Sequence, residues 1–267
     1  MTPLPVHVAS GGDLLIGQYQ LAAPPSPETP SSGAASAEPE HAVLLCNPFG
    51  QEAIRCQRAF RLLAGRLARI GVPSLRFDYY GTGDSPGNDG EGDLSRWRRD
   101  VAAAHDALVA RAGASRIVWI GLRLGAAVAM EAWTLVEHPP ARIVMWDPVM
   151  EGARYLEELS RHHYFWTRRR DVHDEALGFQ LPPRLRGQIA ALDLLAALQG
   201  THPALAVLAG SQVCGIPRLL RHLSAHLPAA PVCVTAETTE WCSNEAMDTQ
   251  WVPGEGLDRL VEFVRQA

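Results

Sequence analysis

The sequence predicts an α/β fold, with a mostly parallel central sheet and helices on both faces. Three observations point to it. Short apolar runs recur along the chain, at 42–46, 72–77, 116–120, 141–146, 204–209 and 231–235. Most of the intervals between them carry apolar residues at helical spacing, and strand–helix alternation builds a parallel sheet. The chain is also 47% hydrophobic over 267 residues, enough for a sheet buried on both sides.

The elements follow in order. Residues 13–21 read as a strand after the Gly11-Gly12 turn. The stretch 22–40 is rich in Pro, Ala, Ser and Glu, with no large apolar residue between Leu21 and Val43. Such a stretch cannot bury a core and is expected to be a mobile loop. Strand 42–46 leads into the loop Asn47–Glu52 (NPFGQE). A helix is expected over 55–70 from Phe60, Leu62, Leu63, Leu67 and Ile70, stopped by Gly71. Strand 72–77 opens into the glycine-dense Asp78–Gly87 (DYYGTGDSPG). Helix 93–112 aligns Leu94, Trp97, Val101, Ala104 and Leu108. Strand 116–120 meets Gly121–Gly125 (GLRLG) and an alanine-rich helix, 126–136. Strand 141–146 ends in Asp147-Pro148. From Glu151 to about Gln199 the strand pattern stops. The segment is aromatic and basic around 162–170 and helical around 184–198, and is expected to be an inserted helical lid. Strands at 204–209 and 231–235, with a helix at 216–226 between them and a last helix at 255–265, complete one domain over 1–267. Ligands of such sheets bind beyond the carboxyl ends of the strands.

The formal charge of −5 lacks the basic excess of a nucleic-acid binder. No run of about 18 apolar residues suits a membrane span, and the first residues lack a secretory pattern. The five cysteines make no CxxC pair, so neither a disulfide framework nor a zinc ribbon is suggested and a reduced, cytoplasmic protein is expected; no cofactor is expected either. Adjacent His162 and His163 point apart on either a helix or a strand, so they and His173 do not predict a metal site.

A strand, then Gly-x-x-x-Gly, then a helix is the setting of a nucleophile elbow, where the central residue is thrust above the sheet. Here that residue is Arg123. Asn47–Glu52, Arg76–Ser85, Gly121–Ala126 and Trp146–Val149 together resemble the serine aminopeptidase-like α/β-hydrolases. Within these they resemble the second hydrolase type of exosortase A systems, a group that also has arginine at the elbow. The resemblance runs from about residue 42 to 265 and implies an α/β-hydrolase fold. It also implies a biosynthetic setting and an oxyanion loop at Asn47–Glu52. In that loop backbone N–H groups near Phe49 and Gly50, with that of Leu124 and with Gln51 alongside, would polarise an acyl carbonyl.

Hydrolases of this fold place the nucleophile first, then an acid, then a histidine near the C-terminus. The last histidine here is His226, before the 231–235 strand. An arginine cannot attack, because it stays protonated. Ordinary Ser-His-Asp hydrolysis is therefore not expected. The literal Gly-x-Ser-x-Gly around Ser85 lies in a loop, and Cys46 reads as a buried hydrophobe before an unconventional nucleophile.

At a helix N-terminus Arg123 faces the positive end of the dipole, a cost of roughly 0.3–1 kcal/mol unless an anion is near. That anion is an internal acid, Glu52, Asp78 or Asp147, or a ligand carboxylate or phosphate, or both, with an internal acid displaced by the ligand. Arg123, Asp147 and Glu52 are the candidate catalytic residues, and Phe49, Gly50, Gln51 and Leu124 the candidate ligand contacts. Asp78 reads as structural. A small acyl or carboxylate ligand, including a carrier-protein thioester, is expected to be bound or transformed by chemistry needing no serine, such as acyl positioning, cyclisation or elimination, with Trp166 and Arg168–Arg170 facing an acidic carrier or solvent. Two other readings stay open. One is a scaffold using the lid and Trp133, Trp146 and Trp166; the other is a hydrolase or thioesterase with a non-standard nucleophile.

Overall fold

The computed structural model describes residues 2–23, 39–169, 174–236, 241–242 and 252–267. Most of the loop expected at 22–40, together with Arg170 and His173, lies outside them. Among the described residues eight strands form one sheet: β1 (Leu4–Ser10), β2 (Asp13–Gln20), β4 (Ser74–Phe77), β3 (His41–Cys46), β5 (Arg116–Leu122), β6 (Arg142–Trp146), β9 (Ala204–Gly210) and β10 (Val232–Thr235), in that spatial order. The β1–β2 and β2–β4 pairs are antiparallel, and every pairing from β4 to β10 is parallel.

Successive side chains of a strand point to opposite faces, so each central strand feeds two cores. Every residue of β3 is buried for this reason. Val43, Leu45, Val118 and Ile120 pack against helix α1 (Gln51–Arg69) and the C-terminal helix Gly254–Arg265, meeting Phe60, Leu63, Leu257 and Val264. Leu44, Trp119 and Ile143 pack on the other side with α2 (Leu94–Ala112) and α3 (Leu124–Ala132), meeting Trp97, Val101 and Leu108. There the Trp119 indole donates to His105 Nδ1 at 3.0 Å, so the one polar atom of that ring is satisfied in the core.

Several boundaries differ from expectation. β1 was not foreseen. It pairs with β2 across Gly11-Gly12 and buries Val6, Val8 and Ser10 on alternate positions. Helix α1 starts at Gln51, because Gly50 takes a positive φ of 59° and turns the chain directly into the helix. Helix α3 ends at Ala132 and continues as a single 3₁₀ turn, Trp133–Leu135.

The insertion between β6 and β9 opens with α4 (Gly152–Thr167), followed by the hairpin β7 (Glu175–Ala176)–β8 (Phe179–Gln180), α5 (Pro183–Ala190) and α6 (Leu194–Ala197). The expected helix at 184–198 is thus two helices, with Asp193 capping the second through Leu195 and Ala196 N–H. Helix α4 was not foreseen either. Its buried stripe, Tyr155, Leu156, Leu159 and His163, is interleaved with charges.

Candidate active site at the strand-to-helix elbow

Strand β5 and helix α3 join at Arg123, whose φ of 52° and ψ of −120° are an unusual backbone conformation for a side-chain-bearing residue. Two glycines permit the turn. A Cβ at Gly121 would lie 2.6 Å from the Ala126 backbone, and one at Gly125 would lie 2.4 Å from the carbonyl oxygens of Cys46 and Asn47. The Arg123 N–H donates to Trp146 O at 2.9 Å, fixing the turn to the end of β6. The side chain at position 123 is thereby projected beyond the carboxyl ends of the strands.

Arg123 is buried and meets two carboxylates. Its Nε–H donates to Glu52 at 2.8 Å, and Nη2 donates to both oxygens of Glu158, each at 2.8 Å. The other Glu52 oxygen accepts the Tyr155 hydroxyl at 2.7 Å, and the Tyr155 ring lies 5.3 Å from the guanidinium carbon. Burial pulls the guanidinium down, but Glu52 and Glu158 more than offset this and hold it well above its ordinary value. Glu52 is fully buried, and that burial pushes its carboxyl up against the opposing pull of Arg123 and Tyr155. No hydrogen bond from Arg123 Nη1 is found among the described residues.

Beside the guanidinium opens a cleft of about 640 Å³ between the strand ends and α4. Arg123, Tyr155, Val149, Met150 and Val213 line it, with Glu151, Arg154, Arg161 and Arg218 nearer solvent. Glu151 accepts from Arg218 at 2.7 Å and lies 3.2 Å from Arg154. Arg161 has no ion-pair partner among the described residues.

Of the expected site residues, Arg123 and Glu52 are brought together and Asp147 stands apart. Asp147, at φ 44°, accepts Gly210 N–H at 2.8 Å and the Trp241 indole N–H at 2.9 Å, and so ties the β6 and β9 ends to residue 241. Burial raises its carboxyl, opposed by Trp241, Gly210 and Arg123.

Three of the expected ligand contacts, Phe49, Gly50 and Gln51, meet the β7–β8 hairpin of the insertion. Phe49 packs between Trp97 and Phe179, each with ring centroids 6.2 Å away. A Cβ on Gly50 would touch the Phe179 ring at 3.3 Å, and Gln51 Nε2 donates to Leu177 O at 3.3 Å. Phe49, Gly50, Gln51 and Leu124 are not among the residues lining the cleft. The β7–β8 hairpin needs an apolar seat for Phe179, and this loop provides it.

Other sequence candidates have structural partners. Asp78 accepts Asn47 Nδ2 at 3.3 Å and Asp84 N–H at 3.1 Å. The Ser85 hydroxyl donates to Asp78 O at 2.6 Å and accepts Ile16 N–H at 2.9 Å, so it joins a turn to β2. Cys46 is fully buried, which drives its thiol far up and holds it protonated. His163 accepts Leu177 N–H at 3.0 Å, pinning the hairpin to α4, and no metal-binding group of His, Cys, Asp or Glu occurs among the described residues. Trp146, expected on a surface, is buried against Phe60 and Trp241. The sequence reading missed Glu158, Tyr155 and Trp241. The signal for the first two was the i, i+3 pair on α4, visible only once that segment is taken as a helix.

No helix of the described residues is long and apolar enough to cross a membrane. Two uncharacterized proteins of Mycobacterium tuberculosis, from strains CDC 1551 and H37Rv, are 37% identical to this chain over 127 residues. That stretch covers 47% of this chain and 41% of each relative, so the chain matches less than half of their length. Among solved structures, Est1E of Butyrivibrio proteoclasticus with ferulic acid bound aligns at TM-score 0.66 and 13% identity, covering 98% of this chain and all of that one. An esterase of Pyrococcus furiosus aligns at TM-score 0.65 and 15% identity, covering 99% and 90%. At these identities the likeness establishes the α/β-hydrolase fold. The profile of the serine aminopeptidase S33 family matches residues 37–172, about half of the sequence and the part that carries the elbow, and the chain belongs to that family.

Proposed function

We propose that this hydrolase-fold protein has given up serine chemistry and binds the anionic head of an acyl or carboxylate ligand in the cleft beside Arg123, serving a biosynthetic pathway. One observation carries the reading. The position that would hold the attacking group holds a buried cation lining a 640 Å³ cleft, and one of its two carboxylate partners, Glu158, is about one-third exposed on the insertion. Glu52 is the fixed partner. Glu158 is the exchangeable one, because an incoming carboxylate or phosphate offers Arg123 the same charge-assisted geometry. Val149, Met150, Tyr155 and Val213 supply an apolar wall for an acyl chain, and the resemblance to the exosortase A group favours a biosynthetic setting. A purely non-catalytic scaffold is the second reading, favoured by the two internal acids that already neutralise Arg123.

The test pairs reactivity with binding. The protein should resist labelling by a fluorophosphonate probe and fail to turn over p-nitrophenyl esters, yet gain thermal stability with decanoate and with acyl-coenzyme A. Labelling of a single residue together with ester turnover overturns the reading in favour of a hydrolase with another nucleophile, Cys214 being the exposed thiol of the cleft. Absence of any shift with either ligand favours the scaffold.

A further inference from the structure

We propose that the C-terminal end of α4 is a docking surface for an acidic carrier protein, which presents its tethered acyl group to the cleft; this rests on the cleft being the ligand site. Between Arg161 and Arg170 the sequence has four arginines and no carboxylate, in a chain of net charge −5. Several surface cations elsewhere are paired within the fold, Arg66 with Asp258, Arg98 with Glu131, Arg184 with Asp93 and Arg259 with Glu262, while the exposed Arg61, Arg69, Arg99, Arg221 and Arg265 form no ion pair among the described residues but are scattered along the chain. Arg161, Arg168 and Arg169 are exposed and form no ion pair among the described residues.

The strip also carries apolar anchors. Phe165 is 53% exposed and Trp166 36%, and the Arg168 guanidinium carbon lies 5.3 Å from the centre of the Phe165 ring. Exposed aromatic residues interleaved with arginine are the composition of protein-binding hot spots.

Position selects the partner. Glu158, Arg161 and Phe165 recur at i, i+3 and i+7, so they share a face of α4, and its first two members line the cleft. From Glu158 to Arg168 the helix rises about 15 Å, so a body seated on Arg168 and Arg169 stands about that far along α4 from the Glu158 end of the cleft, a span that a flexible tether can bridge. A negatively charged protein bearing its ligand on a flexible tether satisfies both the unpaired cations and the nearby cleft. An anionic membrane also takes up the arginines and the aromatic rings, but it brings no tethered group to the cleft.

The experiment uses the whole protein and an apo acyl carrier protein lacking the arm, with binding read by calorimetry at low and high salt. Because the arm is absent, the surface is tested without the cleft. Binding should weaken with salt, and should fall on the order of tenfold in the variant F165A/R168E/R169E, whose melting temperature is checked against the parent. A reversal at Arg259, far along the chain, controls for overall charge. The proposal is overturned if the carrier does not bind, if the triple variant binds equally, or if phosphatidylglycerol vesicles bind through these residues while the carrier does not. Decanoate binding is measured in parallel. If decanoate binds and the carrier does not, the docking surface is wrong and the cleft reading survives. If the carrier binds through the strip and decanoate does not, the reverse holds.

Discussion

Arg123 and Glu52, 71 positions apart in sequence, meet at 2.8 Å with only 8% and 1% of their side chains exposed. An ion pair that dry is sustained by its further hydrogen bonds, here from Tyr155 to Glu52 and from Arg123 to Glu158. Removing one member leaves the other charged and buried, which typically costs about 3–5 kcal/mol, whereas replacing both with neutral groups of similar volume is close to neutral. Arg123→Met is therefore expected to lower stability by about that amount, and Arg123→Met with Glu52→Gln to recover most of it. Chemical denaturation of the two variants checks this. Equal losses would mean that the pair is not coupled.

Glu158 should behave in the opposite way. It is one-third exposed, and Arg123 keeps Glu52 when Glu158 is neutralised, so Glu158→Gln should cost less than about 1 kcal/mol. The same change removes the internal competitor for Nη2. Decanoate should then bind more tightly than to the parent, by a few-fold or more. Thermal-shift titration distinguishes this from a purely structural glutamate, for which affinity is unchanged.

The strand–helix alternation was legible in the sequence because parallel strands buried on both faces leave unbroken apolar runs, as in Ala42–Cys46. The elbow was legible because only glycine fits at 121 and 125. Glu52 was among the acids named for Arg123, yet nothing local distinguished it from Asp78 and Asp147. That choice is made by where α1 begins, which Gly50 sets by its positive φ. Glu158 and Tyr155 stayed hidden because the apolar stripe of α4 is cut by Arg154, Glu157 and Arg161, residues that face the cleft or solvent and mask the helical period. The covering of Phe49–Gln51 by Phe179 is a long-range packing event across the insertion, with no trace in spacing.

The glycines give a paired prediction with opposite signs. Gly125→Ala drives a Cβ to within 2.4 Å of two backbone carbonyl oxygens that cannot retreat without moving β3. Overpacking of this kind typically costs about 1–3 kcal/mol or more. Gly65, inside α1, has nothing within 4 Å of the position a Cβ would take, and no positive φ. There Gly65→Ala should stabilise by about 0.4–1 kcal/mol, by reducing the freedom of the unfolded chain. Melting temperatures that move in the same direction for both variants would contradict the elbow geometry.

The Trp241–Asp147 contact gives a prediction in pH. Burial holds the Asp147 carboxyl above its ordinary 3.8, and the indole N–H is the largest influence pulling it back down. A carboxyl raised on folding binds more protons in the native state, so stability falls as pH climbs from 3.8 to the folded value, and the loss persists above it. Trp241→Phe removes the opposing donor, lifts Asp147 further and widens that window upward. Its packing loss is independent of pH, but the unpaired buried carboxylate appears only where Asp147 is ionised. The destabilisation by Trp241→Phe should therefore be larger at about pH 7 than at about pH 4, with the difference on the order of 1–3 kcal/mol. Denaturation of parent and variant at both pH values measures it. An equal loss at the two would show that the indole packs against Trp146 without governing the charge on Asp147.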